Sequence, residues 1–188
     1  MQDQSRRATL RARTSMAHEA LDRLIGPFDS AQSYSRYLQG MAVFRSVVED
    51  MLSLVHWPMA FSAWQNERLA DLIGQDLADI GAAAQRPSIP SAPSSSLEAE
   101  DILGMLYVLE GSALGARLLY KRAQALGYSA TFGARHLAVQ CRQNGRWSAY
   151  LKLLEDAVGI DIDHVAKVSA RTFEIAEMAF ERTLHERA

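Results

Sequence analysis

Tyr107-Val108-Leu109-Glu110-Gly111-Ser112-Ala113-Leu114-Gly115 reads as the middle of a buried helix, yet it carries two glycines four residues apart. A glycine inside a helix costs about 1 kcal/mol relative to alanine. At about 100° per residue, Gly104, Gly111 and Gly115 fall within roughly a 40° arc, with Tyr107, Val108, Leu118 and Arg122 on or beside it. The helix therefore bares its backbone along one strip. Two explanations stand side by side: a second helix packed very close, or a flat ligand lying against the strip. Glycines there also let the helix kink.

Outward from this stretch the chain reads as all-α. The segment from Ser5 to Ile25 has helical periodicity and stops at Gly26-Pro27. Asp29 or Ser30 caps a second helix over Ser33–Val55, closed by Trp57-Pro58. A third is expected over Ala60–Ala84, with a break near Gly74. The Pro/Ser stretch Arg86–Ser96 is a loop within one domain, because neither half has a complete amphipathic set alone. Ser96 with Ala99-Glu100 starts the glycine-bearing helix, which ends at Leu126-Gly127. Further helices are expected over Ala134–Cys141, Arg146–Val158 and Asp163–Glu186. Alternation of the kind that marks strands is absent over any five residues, so the expectation is six to eight helices and no repeat.

The 188 residues fit a single domain spanning 1–188, and 48% hydrophobic with 22% charged residues permits a sizeable core. A net charge of −2 without a basic stripe argues against a nucleic-acid partner. The lone Cys141 excludes an intrachain disulfide framework and a Cys-rich metal site, and it fits a reducing compartment. The first residues lack the apolar core of a secretory signal, and no run of 18 apolar residues occurs, so no membrane is expected. The default is a cytoplasmic, soluble monomer.

Of the five histidines, His56 sits at a helix end, His136 lies in Gly133-Ala134-Arg135-His136-Leu137, His164 starts the final helix and His185 is nearly terminal. His18 alone is well inside a strongly amphipathic helix, on a face with Arg11, Thr14, Leu21, Asp22 and Ile25. Asp22 at i+4 is placed to accept the imidazole Nδ1–H, which would leave Nε2 free for a metal such as heme iron. Arg11, two turns away, is placed to meet an anion. The same His–Asp spacing also describes a plain surface pair. Other chemistries lack their motifs: no Glu-x-x-His, no His-Glu-x-x-His, no Gly-x-Gly-x-x-Gly, and no strand before Gly111-Ser112-Ala113 to make a nucleophile elbow.

Three segments together resemble the bacterial heme oxygenases. Leu10-Arg11-Ala12-Arg13-Thr14-x-x-Ala17-His18-x-x-Leu21-Asp22 is similar to the family's proximal helix. Leu106-Tyr107-Val108-Leu109-Glu110-Gly111-Ser112-x-Leu114-Gly115-Ala116 is similar to the distal helix. Phe132-Gly133-Ala134-Arg135-His136-Leu137-Ala138 resembles a segment of the iron-acquisition type. The resemblance implies a single-domain helical bundle with heme between the first helix and a kinked distal helix. His18 would be the iron ligand. Gly111, Ser112 and Gly115 would form the catalytic distal face. Arg11, Thr14, Tyr107, Arg122 and Phe173 would complete the heme-binding set, with Lys121 as the alternative to Arg122 for a propionate and Phe180 beside Phe173 as a pocket wall, plain core being the other reading of both phenylalanines.

The implied reaction opens heme, at once substrate and cofactor, to biliverdin, carbon monoxide and ferrous iron. It consumes O2 and electrons from an external donor, whether a ferredoxin, a reductase or an ascorbate-like reductant. The alternatives are a heme carrier or sensor on the same fold and, further off, a heme-free helical interaction module. Mammalian members carry a carboxylate directly after the first distal glycine; this chain has Ser112, and Ala116 follows the second.

Overall fold

The computed structural model describes residues 5–55, 57–61, 64, 68–83 and 97–185. The Pro/Ser loop at 86–96, the start signal at Ser96, the expected end at Glu186 and His56 lie outside the described residues. Among those described, eight α-helices follow in order: α1 (Arg6–Ile25), α2 (Ala31–Ser53), α3 (Leu69–Asp79), α4 (Ala99–Ser112), α5 (Ala116–Ala125), α6 (Arg135–Arg142), α7 (Arg146–Asp156) and α8 (Ile162–His185). No strand forms among them; only isolated bridges join Ser129 to Phe132 and Gly133.

Local signals set most of the ends. Gly26, at φ +62°, closes α1 with its N–H on the Asp22 carbonyl. Ser30 Oγ accepts the Ser33 N–H at 3.2 Å while Ser33 Oγ accepts the Ser30 N–H at 3.1 Å. This reciprocal cap satisfies donors that a helix start leaves bare, so α2 begins at Ala31 rather than Ser33. The third helix departs further from expectation. Met59–Phe61 form a 3-10 turn, Trp64 and Arg68 are not helical, and α3 covers only Leu69–Asp79, unbroken at Gly74. Its start is set from a distance: the buried Glu49 carboxylate of α2 accepts the Leu69 and Ala70 N–H groups at 3.2 and 3.1 Å.

α8 is the spine. It packs against α1, α2 and α4, and buries Val165, Val168, Phe173, Ala176, Ala179 and Phe180. Phe180 seats on Gly40, where any Cβ would overlap its ring, so it belongs to the core and not to a pocket wall. Gly104 answers one of the two explanations for the glycine strip. A Cβ there would lie 2.6 Å from Val168 Cβ and 2.9 Å from the Val165 carbonyl, so close packing of α4 on α8 requires glycine.

The run Ala99–Ala125 is long and apolar enough by composition to pass for a membrane span. The broken α4–α5 helix occupies it, and its apolar content serves the core: Ile102, Leu103, Met105, Leu106, Val108 and Leu109 are all buried. α1, by contrast, is less amphipathic than expected, with only Leu10 and Thr14 buried. It still packs on the core through Leu10 and the half-buried Ala17, Leu21, Leu24 and Ile25, and polar contacts add to this. Arg6 Nη1 donates to the Leu154 and Ala157 carbonyls at 2.6 and 2.7 Å, a cation on the carbonyl end of α7. Arg13 pairs with Asp163 at 2.8 Å. The remaining face of α1, which carries His18, is left uncovered.

Candidate functional site

His18 projects from that uncovered face with its side chain 61% exposed. Its Nδ1 lies 3.1 Å from an Asp22 carboxylate oxygen. A pair this exposed contributes little to stability. Its consequence is directional: a proton held on Nδ1 by the carboxylate leaves the Nε2 lone pair outward. The ring meets Phe173 of α8 edge-on, with centroids 6.0 Å apart. Phe173 is itself buried, so it forms the floor beneath the imidazole.

One turn before His18, Thr14 Oγ1 lies 2.8 Å from the Leu10 carbonyl and 3.4 Å from the Tyr107 hydroxyl. Here α1 touches α4. Tyr107 stands at the same time against Trp147 and Tyr150 of α7, with centroids 5.7 and 6.2 Å apart. Thr14 and Tyr107 therefore mark the junction of two walls, α1 and α4, which rest on a floor from α7 and α8, while α5 continues the second wall and packs on α6.

On the second wall the expected kink is present. α4 ends at Ser112, residues Ala113–Gly115 tighten into a 3-10 turn, and α5 continues from Ala116. Around this break the glycines behave unlike Gly104. Among the described residues, a Cβ on Gly111 would find only the Trp147 ring, at 3.7 Å or beyond, and one on Gly115 would find nothing within 4 Å. Leu114 and Leu118 beside them are 63% and 57% exposed. An uncovered apolar strip with bare backbone is unfavourable in water unless something covers it, and such strips mark binding surfaces.

The remaining candidates divide. Arg11 on α1 and Lys121 and Arg122 on α5 are exposed and make no ion pair among the described residues. Ser112 is half-buried and tied inward: it donates to the Leu109 carbonyl at 2.7 Å and accepts from Arg45 Nη2 of α2 at 2.8 Å. Two residues escaped the sequence reading. Trp147 lines the strip from a short helix that carries no local signal of this role. Arg45 did leave a signal, a lone cation in the apolar run Met41-Ala42-Val43-Phe44 with Glu49 at i+4.

The segment around His136 is built for structure. Asp76 accepts the backbone N–H groups of Arg135 and His136 at 2.9 and 3.2 Å, capping α6, and sits 2.7 Å from His136 Nδ1. Arg135 bridges Asp76 and Asp79, and Asp79 also accepts the Gly133 N–H at 2.7 Å. Burial pushes the His136 pKa down despite Asp76 beside it, so the ring is neutral and donates from Nδ1. Burial works against the Asp76 carboxylate, but hydrogen bonds from His136 and the α6 backbone outweigh it and hold its pKa below the usual range.

No family model matches the chain. Heme oxygenase PigA from Pseudomonas aeruginosa is 31% identical over 160 residues, a match covering 80% of this chain and 76% of that protein. The fold matches the crystal structure of the NO- and CO-bound heme oxygenase from Neisseria meningitidis with a TM-score of 0.76 and 25% identity, over 98% of this chain and 95% of that one.

Proposed function

The chain belongs to the bacterial heme oxygenase family, and we propose that it holds its substrate between His18 on α1 and the strip around Gly111 and Gly115. It is a heme-degrading oxygenase. The residues fit a flat, largely apolar macrocycle with an iron centre and an anionic edge. His18 offers an outward Nε2. Leu114 and Leu118 offer uncovered apolar surface, and Gly115 leaves open space where a side chain would otherwise stand. When bound, heme and its iron supply the oxygen chemistry that opens the macrocycle to biliverdin, carbon monoxide and ferrous iron, with electrons from an external donor.

The protein's share is placement. Asp22 holds the proton of His18 on Nδ1 and so keeps Nε2 free for the iron. Phe173 stops the imidazole from folding inward. Gly111 and Gly115 keep the opposite face free of side chains that would block a small gas or compete for iron. Arg11, Arg122 and Tyr107 stand at the margins of the slot, where carboxylates of the substrate would be met by two cations and a hydroxyl. By orienting those carboxylates, the three side chains would select which bridge carbon of the substrate is cut. The free thiol of Cys141 accords with a protein working in the cytoplasm, and we assign it there as a monomer.

The observation that carries this reading is the open space at Gly115 beside two exposed leucines, in a broken helix where another glycine, Gly104, is packed solid. Hemin titration followed by ascorbate tests it. The expected result is a histidine-ligated absorption band that decays to biliverdin with release of carbon monoxide. In His18→Ala the histidine-ligated spectrum is lost; an unaltered spectrum refutes the ligand assignment. A stable complex without turnover in the unmodified protein would point to a heme carrier instead.

A further inference from the structure

α2 threads one guanidinium through its apolar interior. Arg45 is 4% exposed, and its shortest bonds run to the distal helix: Nη2 donates to Ser112 Oγ at 2.8 Å and to the Leu109 carbonyl at 3.1 Å. The Leu109 carbonyl is the acceptor that the break deprives of its partner. In a continuous α-helix it would accept the N–H of Ala113. Ala113 bonds instead to the carbonyls of Glu110 and Gly111 as the chain tightens into the 3-10 turn. The abandoned carbonyl receives two side-chain donors in compensation, the Ser112 hydroxyl at 2.7 Å and the Arg45 guanidinium. A buried carbonyl without a partner is costly, so these donors stabilise the broken helix relative to a straight one.

We propose that Arg45 is a positioning residue for the oxygenase: with Ser112 it braces the break between α4 and α5 and thereby sets how Gly115 and Leu118 face relative to Gly111. In a 3-10 turn each residue advances about 120° instead of about 100°, so the presence and length of the break decide that angle. The competing explanation is that Arg45 merely neutralises buried Glu49. The geometry argues against it. Arg45 Nη1 lies 3.3 Å from Glu49, its longest bond, while Glu49 is already satisfied by two backbone N–H groups of α3. Glu49 is better described as the footing: it ties Arg45 to the start of α3, and Arg45 carries that fixed point across to the distal helix.

The proposal rests on the heme slot described above, and its first test needs no heme. Amide hydrogen exchange of the hemin-free protein is compared between residues 112–116 and the α8 core. Arg45→Met keeps the stem and removes the donors; Ser112→Ala removes one donor and leaves the Arg45–Glu49 pair intact. Exchange at 112–116 relative to α8 is expected to rise about tenfold or more in Arg45→Met and about threefold in Ser112→Ala, with Arg45→Lys recovering part of the loss. Unchanged exchange at 112–116, or a uniform rise across α2, α4 and α8, overturns the brace. Should Arg45→Met not fold, Ser112→Ala decides the matter alone. The second test uses the hemin complex. Arg45→Met is expected to bind hemin within about threefold of the unmodified protein while kcat falls several-fold and partly recovers in Arg45→Lys, and an unchanged kcat in Arg45→Met overturns the positioning role. If the unmodified protein takes up no hemin, the slot reading fails while the exchange result stands.

Discussion

Gly104 and Gly115 lie on one broken helix, and alanine at each should move stability in opposite directions. At Gly104 the new Cβ would sit 2.6 Å from Val168 Cβ and 2.9 Å from the Val165 carbonyl, against the normal contact of about 3.5–4.0 Å between carbon atoms. One neighbour is a branched carbon at the root of its side chain and the other is backbone, so neither can rotate away. Overpacking of this kind costs about 3 kcal/mol, and the gain in helix propensity returns about 1, leaving a net loss of about 2 kcal/mol. For a domain of this size that lowers Tm by about 4–8 °C. At Gly115 the backbone is at φ −84°, open to any residue, and the Cβ meets nothing. Alanine there should stabilise the hemin-free protein by up to about 1 kcal/mol, or about 2–4 °C, by restricting the unfolded chain. The same methyl intrudes on the slot, so hemin affinity or turnover should fall as stability rises. Thermal and urea unfolding of the hemin-free variants, with hemin titration of each, reads both signs. A Gly115→Ala protein destabilised by more than about 1 kcal/mol would mean that something packs on the strip, and the ligand reading of the glycine would be lost.

Further outcomes follow from the same geometry. Leu118→Asp removes apolar surface that is already in water, so unfolding of the hemin-free protein should stay within about 0.5 kcal/mol while hemin binding weakens about tenfold; a stability loss without a binding loss would reassign Leu118 to the core. His136 and Asp76 both have folded pKa values below their unfolded ones. Their contributions are therefore complete above the unfolded pKa and are lost on acidification, beginning below about pH 6.5 for the histidine and continuing through the carboxylate range for Asp76. Urea midpoints from pH 8 to pH 4 should fall accordingly, and His136→Gln should flatten the slope between about pH 6.5 and 5. An identical slope in that variant would remove His136 from the acid response.

Helices were legible where their signals are local. Gly26-Pro27, Ser30 and Gly127 bound α1, α2 and α5 close to where the residues put them. α3 was misread because its start is written elsewhere, in a Glu49 carboxylate 20 residues away that caps Leu69 and Ala70. α1 was overrated as an amphipathic helix because most of its apolar face is only half-buried on α8, with Arg6 on the α7 carbonyls and Arg13 on Asp163 added to it. Within the site, the His18–Asp22 spacing and the kink after Gly111 could be read, since both depend on neighbours three to five residues away. Trp147 could not, because only tertiary packing brings α7 under the strip.

Periodicity placed three glycines on one face and so suggested one purpose, but the structure divides them. Gly104 is small because α8 is in the way. Gly115 is small although nothing among the described residues stands within 4 Å of a Cβ there. Gly74 of α3 is equally open, so space alone decides nothing; what sets Gly115 apart is the exposed Leu114 and Leu118 beside it, a surface for something that approaches from outside. The break beside it points the same way. The 3-10 turn forfeits a regular hydrogen bond at Leu109, and the chain supports that carbonyl with a buried arginine that itself needs a buried glutamate. Burying such a pair is seldom stabilising compared with apolar residues of the same size. Its presence makes sense if the shape of the break is what matters, so the distal wall is held in place by its least economical contact, and the glycine strip and Arg45 become two parts of one device.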